Sequence, residues 1–226
     1  MMISKITNKS IDIIKAYLAP VMIAGAIYSV GEVVLAGMST GILAILTGLL
    51  GTILTVSSAC FYFRAYNRGR ADLADTYVLF TYPDVFNKML SVFFAIWIID
   101  IMGDIAVRLF AFVPFVNFIV AIVVLALQFL LSIAVYLFVA NQNYPTAYYL
   151  KASVSYLGNN WLGYLGFLIL IGIVPAVIQL LVSSILGSLI GSIVAIPLRA
   201  FMDLCVAGYV AEKIIPSEWY AGYAQF

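Results

Sequence analysis

The sequence predicts an all-α fold: a polytopic membrane bundle of six transmembrane helices with short interfacial amphipathic helices. Three observations predict it. Of 226 residues, 65% are hydrophobic and 9% are charged, whereas a soluble domain carries about a quarter charged residues. Apolar stretches long enough to cross a bilayer recur at 18–38, 42–63, 90–110, 118–139, 162–183 and 190–211. The polar remainder is confined to short connections, so residues 1–226 read as a single integral membrane domain.

Composition excludes several function classes. Net charge is +1, and Lys and Arg lie mostly in the connections, which argues against a nucleic-acid partner. Histidine is absent, and Cys60 and Cys205 are the whole thiol inventory. No zinc, haem or iron–sulfur site is supported, and no metal or cofactor is expected.

The first segment, 4–16, alternates polar and apolar residues, with Ile6, Ile11 and Ile14 set against Lys5, Lys9, Asp12 and Lys15. It suits a short helix on the membrane surface. Basic residues before an apolar run resemble a signal peptide, but no small-residue cleavage site follows, so the run is expected to stay as the first span. Glu32 lies in its far half. The second span carries Gly48 and Gly51 with Thr47, Thr55, Ser57 and Ser58, a small-residue face for close packing, with a solute-lining role for the hydroxyls as the second reading.

The interfacial segment 70–88 follows the basic cluster Arg64, Arg68 and Arg70, which is expected to contact anionic headgroups or serve as scaffold. Pro83 should interrupt any helix near Thr81 or Tyr82. In the fourth span Gln128 should bond across helices. The Tyr-rich segment 143–158 suits headgroup depth. Pro175 should kink the fifth span, GSLIG at 187–191 reads as a tight outer turn or close crossing, and the aromatic tail after Lys213 is expected along the surface.

The third span carries Asp100, Asp104 and Arg108 at steps of four, on one helical stripe. Six spans put both termini on one side, and the distribution of Lys and Arg makes that side cytoplasmic, in a prokaryotic plasma membrane. Counted from the inner boundary, Asp100, Asp104 and Arg108 fall at about 15, 21 and 27 Å. Glu32 falls near 21 Å, Arg199 near 18 Å and Asp203 near 12 Å by the same count. Matching depths predict a polar ladder of Glu32, Arg108, Asp104, Asp100, Arg199 and Asp203, in which Arg199 can bridge Asp100 and Asp203.

Four acids face two arginines that stay charged. At least one carboxylate must be protonated or matched by a cation. The leading reading is a structural intramembrane ion-pair network in a non-enzymatic membrane component; the alternative is a proton- or cation-linked solute transporter or channel using the helix-three carboxylates. An intramembrane enzyme lacks support: Asp100 and Asp104 are spaced as on any charged helix face, and Ser153 and Ser155 near Lys151 sit in an interfacial segment. No catalytic residue is assigned. Expected partners are membrane lipids, and a second copy or another membrane protein through the glycine-rich helix faces.

The stretch AVYLFVANQNYPTAYYLKASVSYLGNNWLGYLGFLIL, through Tyr136, Ala147, Lys151, Ala152, Ser153, Leu157 and Asn160, resembles an uncharacterised bacterial and archaeal family, domain of unknown function 975. The late proline followed by Ala207, Gly208 and Tyr209, and the arginine-bearing segment before the third span, are similar to it as well. Where the family has Ile-Pro-Gly before its fourth helix, Val113 and Pro114 are followed here by Phe115. The resemblance implies six helices and no catalytic role.

Overall fold

The structure is a computed structural model that describes residues 2–38 and 43–220, except the side chains at 32, 33, 36–38, 43–46, 48, 49, 52, 79, 186, 188, 189 and 192. Among the described residues the chain is all helical. Its α-helices are α1 (Met2–Ala16), α2 (Leu18–Met38), α3 (Leu43–Arg68), α4 (Pro83–Leu109), α5 (Pro114–Leu131), α6 (Ala134–Ala140), α7 (Thr146–Leu186) and α8 (Ser188–Tyr209). Two 3-10 turns, Leu73–Thr76 and Val78–Phe80, lead into α4, and a π turn, Val210–Ile214, extends α8.

Among the described residues four helical segments are long and apolar enough to cross a membrane: Pro83–Leu109, Pro114–Ala140, Thr146–Ile185 and Ile193–Ile214. A fifth arises if α1 and the start of α2, bent by 100° at their junction, count as one broken span. The expected six are therefore met in part. Helices do stand at the first two expected spans, α2 and α3, where several side chains lie outside the described residues. The turn expected at 37–41 lies largely outside the described residues.

Local chemistry accounts for most boundaries. Pro83 and Pro114 open α4 and α5 at the first helical position, where a missing N–H costs nothing. Gly187 joins α7 to α8 with φ +89°, a conformation that disfavours a side chain, so GSLIG does form the tight turn. The Tyr-rich stretch is no separate interfacial segment. It begins α7, which runs unbroken for 41 residues and continues through Pro175. At 1.5 Å per residue that is about 60 Å, roughly twice the hydrocarbon thickness, so one end of α7 stands clear of the bilayer or the helix tilts steeply.

Helix α8 is the hub, packing on α7, α3, α2 and α1, whereas α4 packs on α5, α7, α3 and α6. Helix α1 buries Ile6, Ser10 and Ile13 against the bundle and leaves Ile11 exposed. Steps of four and three keep a helical face together, whereas Ile11 lies about 140° round from Ile6. The Lys5 ammonium meets Glu212 at 3.1 Å, the Tyr66 hydroxyl donates to Glu212 at 2.7 Å, and Lys9 sits 4.1 Å over the Tyr66 ring. These contacts hold α1 to the end of α8.

Tyr66 also marks a close helix approach. A Cβ at Gly208 would collide with its ring. Gly208→Ala is expected to cost about 1–3 kcal/mol, since the buried ring has nowhere to move without leaving Glu212. Thermal midpoints in detergent check this against Gly172→Ala, where the added methyl meets Met202 at an ordinary 3.8 Å and no loss is expected.

Candidate functional site

A pocket with polar walls sits inside the bundle at a break in a span. Helices α5 and α6 form one apolar span interrupted at Ser132 and Ile133. The Ser132 hydroxyl donates back to the Phe129 carbonyl at 2.7 Å, and the Ser132 amide bonds the same carbonyl in a tight turn. From α7, the Ser153 hydroxyl donates to the Leu130 carbonyl at 2.6 Å. Side chains thus satisfy carbonyls at the break, as a chain inside a membrane requires.

Beside the break lies a pocket of about 230 Å³ lined by residues that include Ser132, Tyr136, Thr55, Ser58, Arg199 and Asp203. Its walls come from α3, α6, α7 and α8, with Tyr164 supplying the α7 wall. Arg199 Nε stands 3.9 Å from Asp203 Oδ2, one turn along α8, and both side chains, 43% and 32% exposed, line the pocket. The Arg199–Asp203 pairing matches the expectation from spacing. Thr55 and Ser58, which the sequence offered mainly as packing residues, face the pocket.

The rest of the ladder is distributed elsewhere. Asp100 accepts a hydrogen bond from Gln128 Nε2 at 3.1 Å, the cross-helix bond expected of Gln128. Its partner comes from α5 because α5, rather than α8, lies against α4. Asp104 and Arg108 are exposed on α4. The Glu32 side chain lies outside the described residues. Matching depth placed these charges on one level without making their helices neighbours.

The shortest ion pair among the described residues lies where headgroup contacts were expected. Arg64 Nε lies 2.8 Å from Asp75 Oδ1, with 7% and 4% of the two side chains exposed. This is close charge contact without a well-aimed N–H, which leaves the Nε hydrogen unmatched by geometry. Arg68 Nη1 donates to the same oxygen at 3.1 Å. Burial pushes the Asp75 carboxyl above the ordinary carboxylate range, and Arg64 and Arg68 pull it back only in part. Asp72 caps the 3-10 turn that carries Asp75, accepting from the Ala74 amide at 3.0 Å. Nearby, the Tyr28 hydroxyl pairs with Ser57 at 3.2 Å, and the Ser57 hydroxyl donates to the Thr76 carbonyl. The connection is thereby stapled to α2 and α3. Arg64 is too buried to meet a headgroup and Arg68 leans on Asp75, which leaves Arg70 as the exposed member of the expected basic cluster.

Among the described residues no group of three or more His, Cys, Asp or Glu side chains is arranged to hold a metal ion. Comparison with known protein families, with curated proteins and with solved structures finds no match. The chain is a helical, membrane-like bundle whose polar interior comprises a pocket at a helix break and a buried Arg64–Asp75–Arg68 centre.

Proposed function

We propose that this chain is a non-enzymatic multi-pass protein of the prokaryotic plasma membrane that moves a small polar solute in a proton- or cation-linked cycle. The observation that carries this reading is the polar pocket at the α5–α6 break. Discontinuous helices at mid-membrane are a recurrent way to build solute sites, because irregular backbone is tolerated there only against protein or a cavity. Arg199 keeps its charge, so Asp203 is the group able to gain or lose a proton. Protonation of Asp203 weakens its hold on Arg199 and changes the charge the pocket offers. This moves the coupling site from the helix-three carboxylates to α8.

In the same proposal α2 and α3 complete six crossings with both termini cytoplasmic, the arrangement also implied by the resemblance to domain of unknown function 975. The structural reading of the charges keeps its support at Arg64–Asp75–Arg68, where Arg64 and Asp75 are buried.

The test is uptake of a mixed pool of labelled small polar metabolites into proteoliposomes under an imposed pH or sodium gradient. Asp203→Asn is expected to lower gradient-driven flux at least about tenfold at unchanged folded abundance. Asp100→Asn should change it far less. Flux that is absent in the parent chain, or equal in Asp203→Asn, rules the reading out.

A further inference from the structure

We propose that two copies of this chain associate in the bilayer through α4, with Asp104 of each copy paired to Arg108 of the other. Both side chains are exposed on a segment apolar enough to span the membrane, and among the described residues neither has an ion-pair or hydrogen-bond partner. Of the other charged side chains deep in these spans, Asp100 is met by Gln128, and Arg199 lies one turn from Asp203. Ionised groups inside a membrane segment nearly always face a partner or a water-filled cavity.

The sequence of α4 shows what kind of partner fits. Phe94, Trp97, Ile101, Asp104 and Arg108 follow one another at steps of three, four, three and four, and none of them is buried. That is the 3.5-residue period of a coiled-coil seam. The residues that α4 does bury, Met89, Val92, Phe93 and Gly103, lie off this seam. Phe94 and Trp97 already pack edge to face at 5.6 Å and form an aromatic ridge at its inner end.

The charges at the outer end of the seam are self-complementary. In a two-fold dimer with its axis along the membrane normal, the two α4 helices run parallel, so identical residues share a depth. Side chains lean toward the helix N-terminus, which brings each Arg108 guanidinium down toward the level of Asp104 opposite. The two-fold axis then makes two reciprocal pairs. Of the glycines first expected to form such a contact, a Cβ added at Gly51 would meet Leu35 and one at Gly191 would meet Ser183, both within the chain.

The experiment uses the full chain in lipid bilayers. Cys60 and Cys205 are fully buried and do not compete for cross-linking. Ile101→Cys, with the native charges kept, is expected to give a disulfide-linked dimer on mild oxidation. Ile122→Cys, exposed on α5, should not. Arg108→Asp and Asp104→Arg, each in the Ile101→Cys background, should each reduce cross-linking at least about tenfold, and mixing the two should recover much of it, because Asp104 of the first then faces Arg108 of the second. Overturning results are equal cross-linking at both cysteines, none at Ile101→Cys, or no recovery in the mixture. Cross-linking that follows anionic-lipid content and ignores the mixing would assign Arg108 to headgroups and also overturn the dimer.

Discussion

Asp75→Ala is expected to lower the stability of the folded chain by about 3–5 kcal/mol, because it leaves a buried guanidinium with its counter-charge removed. Arg64 bears the loss, since only 7% of its side chain is exposed, whereas Arg68, at 25%, can turn toward water. The pair as a whole is worth much less than its breakage costs. Burial raises the Asp75 carboxyl above its ordinary 3.8, so the folded chain holds this proton more tightly than the unfolded chain does. The contribution of this group to stability therefore falls as pH rises through the window just above that value. Two apolar side chains should then replace the pair with little loss: Arg64→Met with Asp75→Leu is expected within about 1.5 kcal/mol of the parent. Unfolding in mixed micelles, monitored by helical signal, measures both. An Asp75→Ala loss below about 1 kcal/mol would show that water reaches Arg64 and that the centre is not buried in solution.

This centre was within reach of the sequence. Arg64 and Arg68 are one helical turn apart and so share a face, and Asp75 lies close enough in the chain to fold back onto it. Charges beside a span usually solvate at the interface, and that general tendency hid the local pairing. The fold itself was more legible. Period and length identify long apolar helices, Pro83 and Pro114 mark starts, and Gly187 marks a turn, because each acts through its own backbone. Gln128 could be read as a cross-helix donor because an amide in a span needs a partner.

Neighbour relations were not legible in the same way. Depth along a helix follows from counting residues, but lateral position depends on which faces interlock, so Asp100 and Arg199 share a level without sharing an interface. The break at Ser132 carries no proline or glycine. Its one local signal is a hydroxyl able to bond back to Phe129, and many serines in spans do this without ending a helix. Residues 143–158 misled in the opposite sense. Their tyrosines suggested a surface segment, yet no proline follows Pro145 until Pro175, and nothing there prevents helix from the first turn onward.

The tail is where those tyrosines find their partner, and Trp219→Ala is the other change expected to cost about 3–5 kcal/mol. Instead of lying along the surface, Trp219 is 1% exposed. Its ring centre stands 4.8 Å from Tyr144, 5.7 Å from Tyr148, 6.1 Å from Tyr149 and 6.2 Å from Tyr156. Its indole N–H donates to the Tyr156 hydroxyl at 3.1 Å, while the Tyr149 hydroxyl donates to the Asn141 carbonyl at 2.7 Å. One ring therefore ties the tail to the start of α7 and, through Tyr149, to the end of α6. Removing it opens a cavity among four aromatic rings and leaves the Asn141–Pro145 connection without its cover. Trp219→Phe keeps most of the ring contact and loses the hydrogen bond, so its cost should be nearer 1–2 kcal/mol. Hydrogen exchange separates a local anchor from a general loss of packing. Amides from Asn141 to Tyr156 should lose protection in Trp219→Ala while those of α4 keep theirs, and equal loss in both regions would show that the aromatic cluster is not a local clasp.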